Sequence, residues 1–333
     1  MVKVIGNVGR VLALAVLVPL LGADAVPSTP LLVTTRSAMI YVAGASRQSA
    51  VAAGARTGNY RLLETTPDGS VLVGYDDDIF AVVEAILPSL EVRVVKRLPR
   101  SMASYIAPST DGFLAYDTSL SALRRYDAHG SLVGSPAAGG GGATEALGIG
   151  DTIVGTGNGR LSIWDRGGRL RRQVLVDAFS PVALPNDRFA VAVPRDSEIR
   201  VYTTALDVVA TLRLPVRRAP RLLAAGPDGS LAVLIGAPSC IRSDAEVDVY
   251  DDVTAAQPRV RIRENLTSAV ALALTSDALY VANAGYYEGR VPFAATAGCR
   301  DEGTIAVFGR DGTSRGVLTN VGSPTGVMPL PRR

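Results

Sequence analysis

Residues 221–250 read RLLAAGPDGSLAVLIGAPSCIRSDAEVDVY. An apolar run leads into the turn Pro227-Asp228-Gly229-Ser230, a second apolar run follows, and a polar loop separates it from a third, alternating run. Residues 61–83 are a weaker copy, with Pro67-Asp68-Gly69-Ser70 at the same turn. Once these two are aligned, four more copies emerge. Short apolar runs bounded by Pro, Asp and Gly are strands joined by tight turns. The period is two almost everywhere: Ile199 and Val201 alternate with Arg200 and Tyr202, and Val247 and Val249 flank Asp248.

The copies begin near 60, 103, 144, 181, 220 and 269, a period of roughly 37 to 49 residues. Each holds four short runs, the pattern of a propeller blade. One blade cannot cover its own apolar faces, but neighbours in a ring can. The chain ends carry remnants of a further unit. Ser323-Pro324-Thr325-Gly326-Val327 resembles the opening Ser180-Pro181-Val182-Ala183-Leu184, and residues 26–59 hold two or three strands including Met39–Ala43. The expected fold is an all-β, seven-bladed β-propeller of four-stranded blades whose ring is closed by both termini. Six blades with loose ends is the alternative. The fourth run of the second unit, 132–134, is the weakest.

The first 25 residues read as an address. Lys3 and Arg10 precede the apolar run Val11 to Leu21, and Ala23-Asp24-Ala25 offers small residues for a signal peptidase. That run falls short of the about 20 residues a bilayer core requires. Cleavage is expected after Ala25, leaving 26–333 as a single propeller domain, periplasmic or extracellular, with no membrane span. Losing Lys3, Arg10 and Asp24 takes the formal charge from +3 to +2. Lys96 is the one lysine beyond residue 25. The arginine excess, with abundant Ala, Gly and Val, reads as the codon bias of a GC-rich genome. Without a basic run interleaved with aromatics, nucleic acid is not an expected partner.

Two cysteines, Cys240 and Cys299, lie in the exported part. An oxidising compartment favours one disulfide between them. Both fall in loops between second and third strands, in consecutive units, which places them on one face of the ring. The glycine run within 137–144 lacks the following Lys-Ser/Thr of a phosphate-binding loop and reads as a connection.

Leu279-Tyr280-Val281-Ala282-Asn283-Ala284-Gly285, followed by Gly303-Thr304-Ile305-Ala306-Val307-Phe308, resembles a repeat of the YVTN and NHL type propellers. Asp165 after Trp164 and Asp127 after Tyr126 stand where those repeats place a turn-forming Asp. The resemblance implies the fold. Its functions range over lactonases, lyases, sugar dehydrogenases and binding modules. The lyase type works through a histidine in the central cleft, but the one histidine here, His129, sits in the turn Asp127-Ala128-His129-Gly130. The gluconolactonase type holds a divalent metal by Glu, Asn and Asp, a set suited to calcium. Glu64 and Asn283 are partial matches without the surrounding motifs. Gly236-Ala237-Pro238-Ser239-Cys240 echoes the cysteine loop of the quinone-dependent sugar dehydrogenases, without their histidine.

In a propeller, loops between second and third strands share a face with the connections between blades. Here that set is the irregular one, with excursions at 236–245 and 284–303. Long loops gathered on a rigid scaffold mark a binding face. They carry Asp76, Asp77, Asp78, Arg195, Asp196, Arg242, Asp244, Tyr286, Tyr287, Glu288 and Arg290, with Asn283 at their root. Tyrosines among charges suit a protein surface, a glycan or a small polar ligand. The expectation is a monomeric, exported binding module using this face. The alternative is a lactonase or gluconolactonase type enzyme with a divalent cation such as calcium at the ring mouth.

Overall fold

The computed structural model describes residues 26–35, 37–51, 59–65, 70–76, 80–98, 106–109, 112–117, 122–133, 145–215, 218–236, 245–284 and 303–330. The strands in chain order begin with β1 (Leu31–Thr35), β2 (Met39–Ala43) and β3 (Ser46–Ala50). Sheet one follows, with β4 (Asn59–Thr65), β5 (Val71–Asp76), β6 (Phe80–Ile86) and β7 (Glu91–Leu98). Sheet two has β8 (Ile106–Ser109), β9 (Gly112–Asp117) and β10 (Ala122–Asp127). Sheet three has β11 (Glu145–Ile149), β12 (Thr152–Gly157), β13 (Arg160–Asp165) and β14 (Leu170–Leu175). Sheet four has β15 (Phe179–Leu184), β16 (Arg188–Val193), β17 (Glu198–Thr203) and β18 (Val208–Arg213). Sheet five has β19 (Pro220–Ala225), β20 (Leu231–Ile235), β21 (Glu246–Tyr250) and β22 (Val260–Ile262). Sheet six has β23 (Ala269–Leu274), β24 (Ala278–Asn283), β25 (Thr304–Gly309) and β26 (Ser314–Leu318). The last strand, β27 (Pro324–Pro329), pairs antiparallel with β1, so sheet seven runs β27-β1-β2-β3.

The chain is thus an all-β propeller, with strands in chain order across sheets one to six and β27 ahead of β1 in sheet seven. First strands of successive sheets touch: β4 meets β8, β8 meets β11, and so on to β23, which meets β27, and β27 meets β4. Each apolar cluster lies between two consecutive sheets. Phe113 and Ala115 face sheet one, while Leu114, between them, faces Ile153 and Trp164 of sheet three. Second strands are therefore covered on both faces. This explains why Phe189–Val193 and Leu231–Ile235 read as continuous apolar runs rather than alternating ones.

A repeat finer than the turn signature appears at the end of the third strand. Tyr126, Trp164, Tyr202, Tyr250 and Phe308 each stand opposite Phe113, Ile153, Phe189, Leu231 and Leu279 on the second strand. Phe113 and Tyr126 stack at 5.0 Å between ring centroids, and Phe189 and Tyr202 at 5.6 Å. Such cross-strand pairs anchor one end of each sheet. The next residue then turns the chain. Asp127 Oδ1 accepts from the N–H of His129 and of Ser131, and Asp165 Oδ1 accepts from Arg169 N–H.

One expectation needs correcting. Among the described residues six sheets have four strands and sheet two has three. In place of the fourth, a single bridge joins Tyr126 to Leu132. Asp127 N–H bonds to Ser131 O and Val133 N–H to Arg125 O, and residues 134–144 lie outside the described residues. The paired stretch is two residues deep, and Leu132 and Val133 are left exposed.

Candidate functional site

Successive strands alternate in direction, so the two turn faces differ in kind. The first-to-second strand turns are tight. At 226–230, Gly226 N–H bonds to Ser230 O at 2.8 Å, Asp228 Oδ1 accepts from Ser230 Oγ at 2.5 Å, and Gly229 takes φ 87°. The opposite face carries the second-to-third strand loops and the connections between sheets.

The structure places the expected site residues unevenly. Asp76 ends β5 opposite Asn59, and Glu64 lies in β4. Asp77, Asp78, Arg242, Asp244, Tyr286, Tyr287, Glu288, Arg290 and both cysteines, Cys240 and Cys299, lie outside the described residues. Arg195 and Asp196 fall in a single 3-10 turn, Pro194–Asp196, between β16 and β17. Arg195 is 82% exposed and pairs with Asp177 at 3.0 Å, tying this loop to the connection from sheet three. Asp196 pairs with Arg200. Asn283 is buried, its Nδ2 donating to Asn265 O at 2.9 Å while Oδ1 is left without a partner. It stands at the root of the longest loop rather than on the surface. His129 is exposed in its turn.

Other residues, which the sequence did not single out, converge at this mouth. Three first strands carry a bulge at the same rung, read from register shifts at Pro220/Leu222, Ala269/Ala271 and between Thr35 and Thr34 against β27, and β15 carries one a rung away, at Phe179/Val182. The extra residues are Arg221, Val270 and Thr325, while in β15 Ser180 and Pro181 stand together against Val191. Bulges re-aim side chains and free backbone groups from the ladder. Ser180 takes φ 50°, unusual outside glycine. Its freed N–H donates to the carboxylate of Glu145 on β11. Its Oγ accepts from Leu223 N–H on β19 at 2.8 Å. Glu145 also accepts from Thr156 Oγ1 at 3.5 Å. One relay therefore stitches three sheets together at the mouth. Burial pushes the Glu145 carboxyl above the usual carboxylate range, opposed by the Ser180 and Thr156 bonds.

Leu175, 82% exposed, ends the outer strand β14, and Phe179, 37% exposed, opens the inner strand β15 next to Ser180. Arg221 is exposed and pairs with none of the described residues. Behind it lies an ionic cluster. Asp248 is buried on β21 and takes Arg261 Nε at 2.8 Å, and Arg218 bridges Asp248 to Glu246. Glu246 also meets Arg263 at 3.1 Å. Tyr250, on the same side of β21, is pushed up to about 12 by burial and then by the Asp248 charge. Among the described residues no group of three or more His, Cys, Asp or Glu is placed to hold a metal ion. Among the same residues no helix is long and apolar enough to cross a membrane.

No known family model matches the sequence. No curated protein matches it either. Solved structures do. The computationally designed Ika8 protein superposes with a TM-score of 0.58 at 12% identity, covering 91% of this chain and 93% of its own. Saccharomyces cerevisiae Sqt1 gives 0.56 at 11%, covering 89% and 96%. Kluyveromyces lactis Hsv2 gives 0.53 at 11%, covering 91% and 96%. At such identities the likeness is one of fold, and it supports the β-propeller without singling out the YVTN or NHL type.

Proposed function

We propose that this chain is an exported binding module: a seven-bladed propeller, closed into a ring by both chain ends, that recognises a protein on the face of irregular loops. The three-stranded sheet two counts as a blade in this reading. The pairing of β27 with β1 and the packing of β27 against both β23 and β4 support closure. Export fits the position of Val26, which is exposed five residues before β1, so that cleavage after Ala25 would leave every strand intact.

The observation that carries the binding reading is the exposure of Leu175 and Phe179 at the two ends of the connection from sheet three to sheet four. Between them Asp177 pairs with Arg195, so apolar and charged side chains share this connection, the make-up of an interface. Glu145, a carboxylate at this mouth, is engaged in holding Ser180, which favours a structural over a catalytic role.

Photo-crosslinking side chains introduced at Leu175 and Arg221, and for contrast at Asp311 and Thr313 on the tight-turn face, test the reading in cells of the source organism. Adducts from the first pair alone are expected, on a chain whose amino terminus is Val26. Adducts from the second pair alone, or a chain that keeps residues 1–25, would overturn it.

A further inference from the structure

Among the described residues an opening lies on the face of tight turns, beside sheet seven. In sheets three to six a short turn joins the first and second strands. In sheet seven the first strand is β27 and the second is β1, so the two chain ends meet where a turn would be. Leu330 N–H bonds to Pro30 O at 2.8 Å. Beside this junction lies a cavity of about 690 Å³, open to solvent on one side and lined by Thr29, Pro227, Leu274, Thr275, Ser276, Asp277, Pro329 and Leu330.

The lining is chemically divided. Pro227, Leu274, Pro329 and Leu330 make an apolar side. Thr29, Thr275, Ser276 and Asp277 make a polar side rich in acceptors. Asp277 takes hydrogen bonds from Ser28 Oγ and from Thr275 Oγ1, the latter at 3.0 Å, and Arg315 stands 3.7 Å away. The Ser28 bond, then the Thr275 bond and the Arg315 charge, outweigh partial burial and hold its carboxyl below the usual range. The second arginine nearby is committed: Arg310 bonds Asp228 at 2.8 Å and Thr275 O at 2.9 Å. Beneath Ser28 and the Thr29 backbone, the Tyr280 hydroxyl is buried and does not line the cavity.

We infer that this cavity is a binding site for a small sugar. The ionised carboxylate and the hydroxyls of Thr29 and Ser276 ask for hydroxyl donors, Thr275 Oγ1 being committed to Asp277 and Ala278, and the prolines and leucines offer an apolar wall to the C–H face of a ring. The site lies on the face opposite the irregular loops, so it stands or falls separately from the proposed interface. It also joins parts far apart in sequence, Thr29 with Pro329 and Leu330, and both with sheet six. A bound sugar would therefore brace the closing sheet.

The test uses the processed chain and a panel of glucose, galactose, mannose, N-acetylglucosamine and chitobiose, measured by calorimetry and by ligand-observed NMR. At least one sugar is expected to bind saturably. Asp277→Asn should weaken it about tenfold, the loss of one charge-assisted hydrogen bond. Ser276→Trp should fill the cavity and abolish binding, and Phe179→Asp on the other face should leave it unchanged. Circular dichroism checks that each variant folds, and if Ser276→Trp does not, Asp277→Asn decides. No saturable binding by any sugar overturns the inference. So does undiminished affinity in Asp277→Asn, or binding that is lost in Phe179→Asp.

Discussion

The N–H of Ser180 donates to the carboxylate of Glu145 across the boundary between sheets three and four. The bond exists because the bulge in β15 removes that N–H from the ladder with β16. Ser180 then needs an acceptor from outside its own sheet, and Glu145 supplies one from a half-buried position. The arrangement fixes a pH dependence. Burial raises the folded-state pKa of Glu145 above its unfolded value. A raised pKa means that the folded protein binds the proton more tightly. The stability linked to that proton is complete below the unfolded pKa and is lost as pH rises through the folded one. Glu145→Gln keeps an acceptor for Ser180 N–H without the charge. It should melt higher than the parent at neutral pH, with the difference vanishing on acidification. Melting curves from pH 4 to pH 8 check this, and a variant less stable at neutral pH would contradict it.

The cross-strand aromatic pairs make a second expectation. Phe189 is fully buried and stacks on Tyr202 between sheets three and four. Phe189→Ala removes that pair and leaves a cavity, at a cost of about 3–5 kcal/mol. Phe189→Leu keeps most of the volume and should cost less than half as much. Urea unfolding with an unchanged slope would measure both.

How much of this was legible in the sequence follows from what each residue does. Turn residues are local: in the turn Pro227-Asp228-Gly229-Ser230 Asp228 bonds to Ser230, and Asp127 and Asp165 bond to atoms two to four residues away, so such spacing marks the strand boundaries and the repeat. Trp164 and Tyr202 were readable as strand ends, but the common place of such aromatics in sheets two to six shows only in the register of the strands. The mouth was not legible. Arg221, Val270 and Thr325 share a position because of bulges, with that of Ser180 a rung away, and a bulge leaves no residue signature beyond the prolines at 181, 220 and 324. Glu145 looked like an ordinary strand polar because its partner lies 35 positions away. Asn283 was singled out as a partial match to a metal-ligand set, whereas the fold buries it and turns its amide onto Asn265 O.

The ionic cluster of sheet five yields a third prediction. Asp248 is buried and faces Arg261 directly across β21 and β22. Removing a buried partner leaves arginine charge uncompensated, so Asp248→Ala should cost about 3 kcal/mol, the lower end for a buried pair because Arg261 still reaches solvent. Double-mutant cycles with Arg261→Ala check it: if the cost is the pair's own, the second substitution should add little to the first.

Tyr250 gives a fourth. Its pKa of about 12 in the fold, against an ordinary 10.0, means that the phenol stays protonated where exposed tyrosines ionise. The stability tied to its proton is present below pH 10 and is lost as pH rises through 12. Difference absorbance of the folded protein should show one tyrosine titrating late, and Tyr250→Phe should remove that late step. A late step that persists in Tyr250→Phe would assign it to another residue, Tyr280 being the first candidate, since burial also raises it.

The closing sheet gives the last prediction. β27 supplies the inner strand that β1 needs on one edge, and Val327 lies in the same apolar cluster as Leu31, Val33, Tyr280 and Ile305. A chain ending at Gly322 loses this strand. It leaves the edge of β1 unpaired and bares the cluster between sheets six and seven. Such a chain should bind a hydrophobic dye and lose its cooperative melt. If the defect is the missing strand alone, a synthetic peptide covering Pro324–Leu330 should restore the melt in trans at high concentration. A peptide with Val327→Asp should not, because it would carry a charge into that cluster. The complementary experiment joins the ends. Leu330 already bonds to Pro30, so a short glycine linker between them, with the chain opened at the exposed turn near Asp311, should give a circular permutant that folds and melts near the parent temperature. A permutant that fails to fold while the peptide also fails to rescue would mean that β27 does not close the sheet in solution.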